Sequence, residues 1–560
     1  MVAGSSRFTI NKTSSSLDIT DISSAMRRSV VCMNLAQDSH SNCVLFRRGR
    51  LTPSSVNMNG CTRDMKWIPA VGSLISEPIS LVFIFSICKV NQNKTLFHKF
   101  QKYLSTVLPH QQKAVLINQE TVAEDTATSP VVDLDFTDHK QAFKEKSLWE
   151  IVRALTVFRV CSNRTFVSRS AEIFERTQRI LGKRLSSALV KPLFYDQFVG
   201  GVTIADVRYN IDKLAKSNSG TFVLMVMEAI DKVEEANGNA KNIIKMMDGI
   251  TEKKTPYGSY MQIRISAMFT SHLLKSLSLL PDEAREKVIY SSAEYMRTHS
   301  PDTLRWLAET PGASGIIPEL LSGLILLGEV GQKAVATDTV LMVDAEYTNT
   351  NPALTALAMA LSLVCNKSKA IVWNTTQCYL KKSFEDLQWE FNFAEKNNLH
   401  YGAKLVRGAY MVAEENEAKS QGHPCPVHDG IQATHNSYNS TANWLLQKIR
   451  DNSNQGRQIR FVLASHNQDS IKQAVERMRS YGIPSEDRKV ILAQVYGMCD
   501  HITYTLGQKG YPVYKSVAVG TISESLPYLS RRSHENSSLI ANSRQERQLL
   551  NSELKYRIMG

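Results

Sequence analysis

The run Val340–Ala345, VLMVDA, is apolar over four consecutive residues before it reaches a carboxylate. Strand side chains alternate between faces, so an unbroken apolar run marks a strand covered on both sides, the pattern of parallel strands under helices. Seven further short β-branched runs lead into helical patterns: Phe222–Met227, Met261–Ala267, Ala370–Trp373, Ala403–Val406, Arg460–Ala464, Val490–Val495 and Val513–Val519. Eight strand–helix units favour a closed (β/α)8 barrel over an open doubly wound sheet, and neither G-x-G-x-x-G nor G-x-x-x-x-G-K-[ST] occurs. The expected fold is therefore α/β, a TIM-like (β/α)8 barrel over residues 216–560 with a helical insertion at about 268–339. A helical arm over 133–215 precedes it, carrying the apolar rhythm Leu148, Ile151, Val152, Leu155, Phe158.

Residues 1–132 read as leader and linker, without the composition of a packed core. Positions 1–70 hold nine Lys or Arg and twelve Ser, against four Asp and no Glu, the bias of a mitochondrial targeting segment. The apolar stretch Pro78–Cys88 is too short to span a bilayer, which needs about 20 residues. Of the chain's formal charge of +13, residues 1–132 carry 14 basic and 8 acidic groups, so nearly half the surplus lies in the leader. No nucleic-acid module accompanies that charge, and no nucleic-acid partner is expected. Nine scattered cysteines without a C-x-x-C pair, and no H-E-x-x-H, give no reason to expect a disulfide framework or a metal.

Barrel chemistry gathers at the C-terminal ends of the strands. The polar residues there are Arg264, Asp344 and Glu346, Gln377, Arg407, Ser465-His466-Asn467, Gln494 and Lys515-Ser516. Asp344 is either an active-site carboxylate or the N-cap of the next helix. His466 is either structural or a partner for phosphate or ribityl oxygens. A last helix starting near Ser523–Pro527 sets Tyr528, Arg531, Arg532 and Glu535 on one stripe. Paired guanidinium groups suit a carboxylate or phosphate, and Glu535 is placed to orient one of them. The alternative is a solvated basic helix with an ordinary ion pair, but the position after the eighth strand would lay this helix over the barrel mouth. Spacing alone thus indicates a barrel enzyme for an anionic ligand and leaves the reaction open.

The strings VDAEYTNTNPAL (343–354), VWNTTQCYLK (372–381), KLVRGAYM (404–411), ASHN (464–467), YGMCDH (496–501), GYPVYKS (510–516) and LPYLSRRSHEN (526–536) resemble, in order, the motifs of the proline dehydrogenase family of FAD-dependent enzymes. The resemblance covers roughly residues 133–558. It implies a distorted (β/α)8 barrel whose final helix lies over FAD and substrate. It implies Arg531 and Arg532 on the amino-acid carboxylate, Glu535 holding that arrangement beside the flavin, Asp344 as the active-site carboxylate, and Tyr528 in the pocket wall. Arg264, Val495 and Ser516 would complete the substrate site. Gln377, Lys404, Val406, Gly408, Thr434, His466 and Asn467 would contact FAD. The implied chemistry is oxidation of a cyclic secondary amine by hydride transfer to the flavin. Electrons would pass to ubiquinone at the matrix side of the inner mitochondrial membrane.

Ser516 stands where the family usually has Tyr, and its hydroxyl suits a 4-hydroxyl group on the substrate ring. That departure is similar to the hydroxyproline dehydrogenase branch, implying trans-4-hydroxy-L-proline as substrate. L-proline is the first alternative, and a non-catalytic barrel binding an anionic ligand the second. Arg264 replaces a usual Lys, Ala518 a Pro, Val519 a Tyr and Met411 a Trp of some bacterial relatives; none of these removes a group the hydride step needs.

Overall fold

The computed structural model describes residues 134–163, 191–310, 314–452, 456–525, 527–532 and 540–559, together with 46–47, 50–51, 169, 176, 179–180 and 182. The chain forms two units, Met1–Leu81 and Val82–Gly560. In the first, Phe46–Arg47 and Arg50–Leu51 pair as a short antiparallel ladder. The rest of the expected leader, including Pro78–Cys88, lies outside the described residues.

In the second unit, eight parallel strands close a barrel in chain order. They are β1 Gly220–Met225, β2 Ser259–Ile263, β3 Thr339–Val343, β4 Val372–Gln377, β5 Tyr401–Val406, β6 Ile459–Ala464, β7 Val490–Val495 and β8 Val513–Val519. The last strand pairs with the first, from Tyr514↔Gly220 to Val519↔Met225, and with the seventh, from Val513↔Leu492 to Ser516↔Val495. The eight expected strands are all present; β7 and β8 have the expected bounds, the other six are shifted at one or both ends, and β2 and β4 differ most at their C-terminal ends. β2 ends at Ile263 because Arg264 caps a 3₁₀ turn, Ile265–Ala267. β4 continues through four polar residues to Gln377 because the fold satisfies three of them internally: Thr375 Oγ1 donates to the Val343 carbonyl at 2.6 Å, Asn374 Nδ2 to Glu390 Oε1 at 2.8 Å, and Gln377 Oε1 accepts from Asn351 Nδ2 at 3.2 Å.

Before β1 come α1 Leu148–Cys161 and α2 Ile204–Lys216. Then α3 Glu234–Thr251 follows β1; α4 Ser271–Ser278, α5 Arg285–Thr298 and α6 Ile317–Ala336 lie between β2 and β3; and α7 Asn351–Cys365 follows β3. Beyond β4 come α8 Ser383–Lys396, then α9 Met411–Gln421 and α10 Ile431–Asp451 after β5, α11 Gln468–Ser480 after β6, and α12 Asp500–Gln508 after β7. The chain closes with α13 Ile540–Met559. α1 starts on a capping box in which Ser147 and Glu150 satisfy each other's backbone N–H. Its buried face, Ile151, Ala154 and Phe158, joins Leu549 and Leu550 of α13 in one apolar cluster. Glu553 of α13 pairs with His139 Nδ1 at 2.9 Å and Arg557 Nε at 2.6 Å.

Inside the barrel, the N-terminal half is plugged by aromatic rings. Phe222 stacks on Tyr514 at 4.7 Å, and Tyr260 meets Trp373 edge-on at 6.0 Å. Gly220 and Gly402 leave room for the Tyr514 and Trp373 rings, which a Cβ at either position would strike. Two residues further along the strands, the same inward face carries Gln262, Lys404 and Ser516. A polar layer therefore rests on a dry aromatic floor.

The carboxyl of Glu390, on α8 behind β4, is a second consequence of the polar end of β4. Asn374 donates to its Oε1, and its Oε2 has no hydrogen-bond partner among the described residues. Burial pushes its pKa up to about 7, against the opposing charge of Arg285 and the bond from Asn374. The folded state therefore holds this proton more tightly than the unfolded chain, and stability falls as pH rises from the unfolded value of about 4.3 through the folded one. Glu390→Gln is expected to match the native protein in urea unfolding at pH 5 and to exceed it by on the order of 2 kcal/mol at pH 8. A variant less stable than native at pH 8 would refute this account of the buried carboxyl.

Candidate active site

Asp344 follows the last residue of β3 and does not cap α7, whose preceding residue is Thr350. Its carboxylate instead pairs with Lys404 of β5. Lys404 Nζ also donates to Gln262 Oε1 of β2 at 3.1 Å, and Gln262 Nε2 donates to Ser516 Oγ of β8 at 2.6 Å. Asp344, Lys404, Gln262 and Ser516 thus form one polar chain across the barrel lumen. Lys404 and Gln262 are each 6% exposed, so a charge and an amide sit on the aromatic floor with their hydrogen bonds made internally.

Beside this chain, Arg264 Nη2 lies 2.9 Å from Glu346 Oε2 and donates to Tyr410 Oη at 3.0 Å, while its Nη1 donates to the Met227 carbonyl at 3.1 Å. Burial raises the Tyr410 phenol pKa; Arg264 and, more weakly, Arg531 pull it back. Arg531 is therefore within electrostatic reach of the Arg264–Tyr410 pair. It sits in the helical turn 527–532 after β8, as do Tyr528 and Arg532. Tyr528 is buried in a cluster that also takes in Leu224, Val495 and Ala518 from the upper ends of β1, β7 and β8, and the Arg532 guanidinium stands 5.0 Å from its ring centre. Glu535, the expected orienting carboxylate, lies outside the described residues.

His466 lies on the Val495 side of the mouth, within electrostatic reach of Arg532. Its Nε2 accepts the Val495 N–H at 3.1 Å, so Nδ1 carries the proton. Burial, with Lys515 and Arg532 next, drives its pKa down to about 3, which keeps the ring neutral. Asn467 is committed to capping α11, its side chain accepting from Ser470 N–H at 3.0 Å. Gln377, at the end of β4, accepts from Asn351 Nδ2 at 3.2 Å, and the Val406 carbonyl accepts from Cys378 N–H at 2.9 Å. Gly408 has φ +124°, and a Cβ there would collide with the Tyr379 ring. Thr434, in the first turn of α10, is buried with an Oγ1 that finds no hydrogen-bond partner among the described residues.

Those last two features bear on the expected cofactor. An orphaned buried hydroxyl at Thr434 and, at Gly408, a backbone that tolerates no side chain both suit a ligand rich in oxygen acceptors that approaches closely. Neutral His466 and the Lys404 ammonium add donors of the kind a flavin ring and its ribityl chain require. The residues present fit FAD.

Sequence reasoning did not single out Gln262 or Tyr410. Gln262 had a readable signal: it lies two residues before Arg264 in a strand and therefore shares its inward face. Arg407 was noted only as a strand-end residue. Its guanidinium stacks on Tyr438 with its centre 4.2 Å from the ring, and donates to His435 Nδ1 at 2.9 Å and to Ser465 and Ser470 Oγ at 2.8 Å. Lys515 leaves the lumen altogether. It faces α12, 2.7 Å from Asp500, whose other oxygen is 2.6 Å from Lys146.

Residues 207–546 match the family described as Proline dehydrogenase. A hydroxyproline dehydrogenase of Bos taurus is 36% identical over 437 residues, which is 75% of this chain and 92% of that protein. The Homo sapiens protein of the same description is 34% identical, over 75% of this chain and 92% of its own length. A mitochondrial proline dehydrogenase 1 of Drosophila melanogaster is 28% identical, over 76% of this chain and 81% of that one. Among solved structures, proline utilization A of Bdellovibrio bacteriovorus superposes with a TM-score of 0.51 at 18% identity. That likeness covers 72% of this chain and 38% of the longer one, and shows the fold alone.

Proposed function

The chain belongs to the proline dehydrogenase family, and on that premise we propose that it oxidises trans-4-hydroxy-L-proline to Δ1-pyrroline-3-hydroxy-5-carboxylate with FAD as cofactor and a membrane quinone, ubiquinone, as final acceptor. The observation that carries the substrate reading is Ser516. Its hydroxyl faces the lumen within a hydrogen-bonded chain, at a position where a larger ring would fill the space a 4-hydroxyl needs. The similarity to proteins named hydroxyproline dehydrogenase supports the same reading. Mitochondrial placement, at the matrix side of the inner membrane, is supported by the composition of residues 1–70 and by relatives named as mitochondrial. Among the described residues, no helix is long and apolar enough to cross a membrane.

In this reading Arg531 and Arg532 take the substrate carboxylate, with Glu535 steadying them, and Tyr528 closes the pocket above Val495. Gln377, Lys404, Val406, Gly408, Thr434, His466 and Asn467 hold the cofactor. Bound FAD supplies the hydride acceptor, chemistry that no side chain can offer. The protein's share is placement and charge. The Asp344–Lys404 pair fixes the polar wall of the site, and Arg264 with Glu346 and Tyr410 fixes the rim beside it. His466 remains neutral, so the cationic groups at the mouth stay directed at the anionic substrate. The aromatic floor excludes water from below.

Anaerobic reduction of the FAD-loaded chain by each imino acid tests the proposal. Hydroxyproline is expected to bleach the flavin absorbance with the higher kcat/KM. Ser516→Tyr is expected to shift the ratio toward proline by about tenfold or more, because overpacking beside the 4-position penalises only the hydroxylated ring. Faster reduction by proline in the native protein would replace the substrate reading with L-proline. A chain that takes up FAD but is bleached by neither would point to a non-catalytic barrel for an anionic ligand.

A further inference from the structure

A serine hydroxyl is ambiguous, since it can give a hydrogen bond or take one. The surroundings of Ser516 remove the ambiguity. Lys404 carries only donors, so the Gln262 atom 3.1 Å from its Nζ has to be the oxygen. The amide nitrogen is then the atom 2.6 Å from Ser516, and the serine oxygen accepts. Asp344 anchors the far end by pairing with Lys404. Donation therefore runs from Lys404 to Gln262 to Ser516. The serine's own proton ends the run, and no acceptor among the described residues takes it.

We infer that Gln262 is a specificity-determining positioning residue, which fixes Ser516 as the hydrogen-bond donor to the 4-oxygen of a trans-4-hydroxylated cyclic imino acid. The inference rests on the substrate reading above. Gln262 acts through Ser516, and its role is to choose the direction of one hydrogen bond. Gln262→Met keeps the length but releases the serine to rotate. Gln262→Glu keeps the shape and still accepts from Lys404, but it also takes the serine's proton, so the hydroxyl presents only an acceptor to the mouth.

The test uses the full FAD-loaded chain and two ligands that bind without reacting, tetrahydrofuran-2-carboxylate and its trans-4-hydroxy derivative, in which an ether oxygen replaces the oxidisable amine. Calorimetric titration gives the ratio of their affinities, and kcat/KM for hydroxyproline over proline gives a second ratio. Both Gln262 variants are expected to lower each ratio by about threefold to tenfold, the range of one neutral hydrogen bond. Adding Ser516→Ala to Gln262→Met is expected to lower it no further than Ser516→Ala alone, as two residues acting through one contact require. If Ser516→Ala abolishes the preference while both Gln262 variants keep it, or if the losses multiply in the double variant, the role of Gln262 is overturned and the substrate reading stands. A native chain with no preference for the hydroxylated ligand overturns both.

Discussion

Arg531→Met is expected to lower kcat/KM for the imino acid by about two to three orders of magnitude, with most of the loss in KM and with FAD content unchanged. In the proposed reading the imino acid brings its carboxylate to Arg531 and Arg532 beside Arg264, and a guanidinium can meet a carboxylate through two parallel hydrogen bonds. Arg264 is committed to Glu346, Tyr410 and a backbone carbonyl, so it cannot substitute without dismantling the rim. Arg531→Lys should recover only part of the activity, since an ammonium keeps the charge but lacks the planar fork. Arg532→Met should also disturb the packing of Tyr528, over whose ring its guanidinium sits, and so lower kcat as well as raise KM. Steady-state kinetics with the flavin spectrum as loading control decides this. An Arg531→Met protein with native KM would remove that arginine from the substrate site.

Asp500→Ala is expected to destabilise the barrel by about 3–5 kcal/mol, read as a lower urea midpoint at pH 7. Asp500 lies between Lys146 from the arm and Lys515 from β8, and the three side chains are 5%, 9% and 1% exposed, respectively. Removing the carboxylate leaves two buried ammonium groups facing each other, which costs far more than a surface pair would. Burial alone would raise the carboxyl's pKa, but the two lysines outweigh it and hold the group well below the usual carboxylate range. The sign follows: the contribution is fully present above the unfolded value of about 3.9 and is lost as pH falls through the folded one. The native protein should therefore show an acid loss of stability that the variant lacks. An Asp500→Ala midpoint equivalent to within 1 kcal/mol of native would show that the cluster is solvated in solution.

The barrel was legible because its strands are buried on both faces and so are written as apolar runs. It failed locally at β4, where Asn374–Gln377 are polar yet buried, and where Asn374, Thr375 and Gln377 are satisfied by neighbours distant in sequence. The shared helical turn of Tyr528, Arg531 and Arg532 could be read from their i, i+3 and i+4 spacing, while Glu535 lies outside the described residues. Asp344 could be placed at a strand end, but its partner could not be named, because Lys404 meets it only once β3 and β5 stand in the same wall. The same limit hid Gln262, whose importance comes from lying between Lys404 and Ser516 in the lumen. Lys515 was misleading for a simple geometric reason: it neighbours Ser516 in sequence, and adjacent strand residues face opposite ways. One serves the lumen and the other a buried ion cluster behind it.

The seam joining β8 to β1 has a consequence for synthesis and turnover. Gly220 must wait for Tyr514 before its strand has a second neighbour, so throughout translation β1 is an open sheet edge. Such edges recruit other strands. A chain cut short before Val513 would therefore be a sticky, unclosed sheet without Ser516 and without the arginine turn. Nonsense alleles ending anywhere upstream of that strand should yield material for chaperones and proteases, with no partially active enzyme among them.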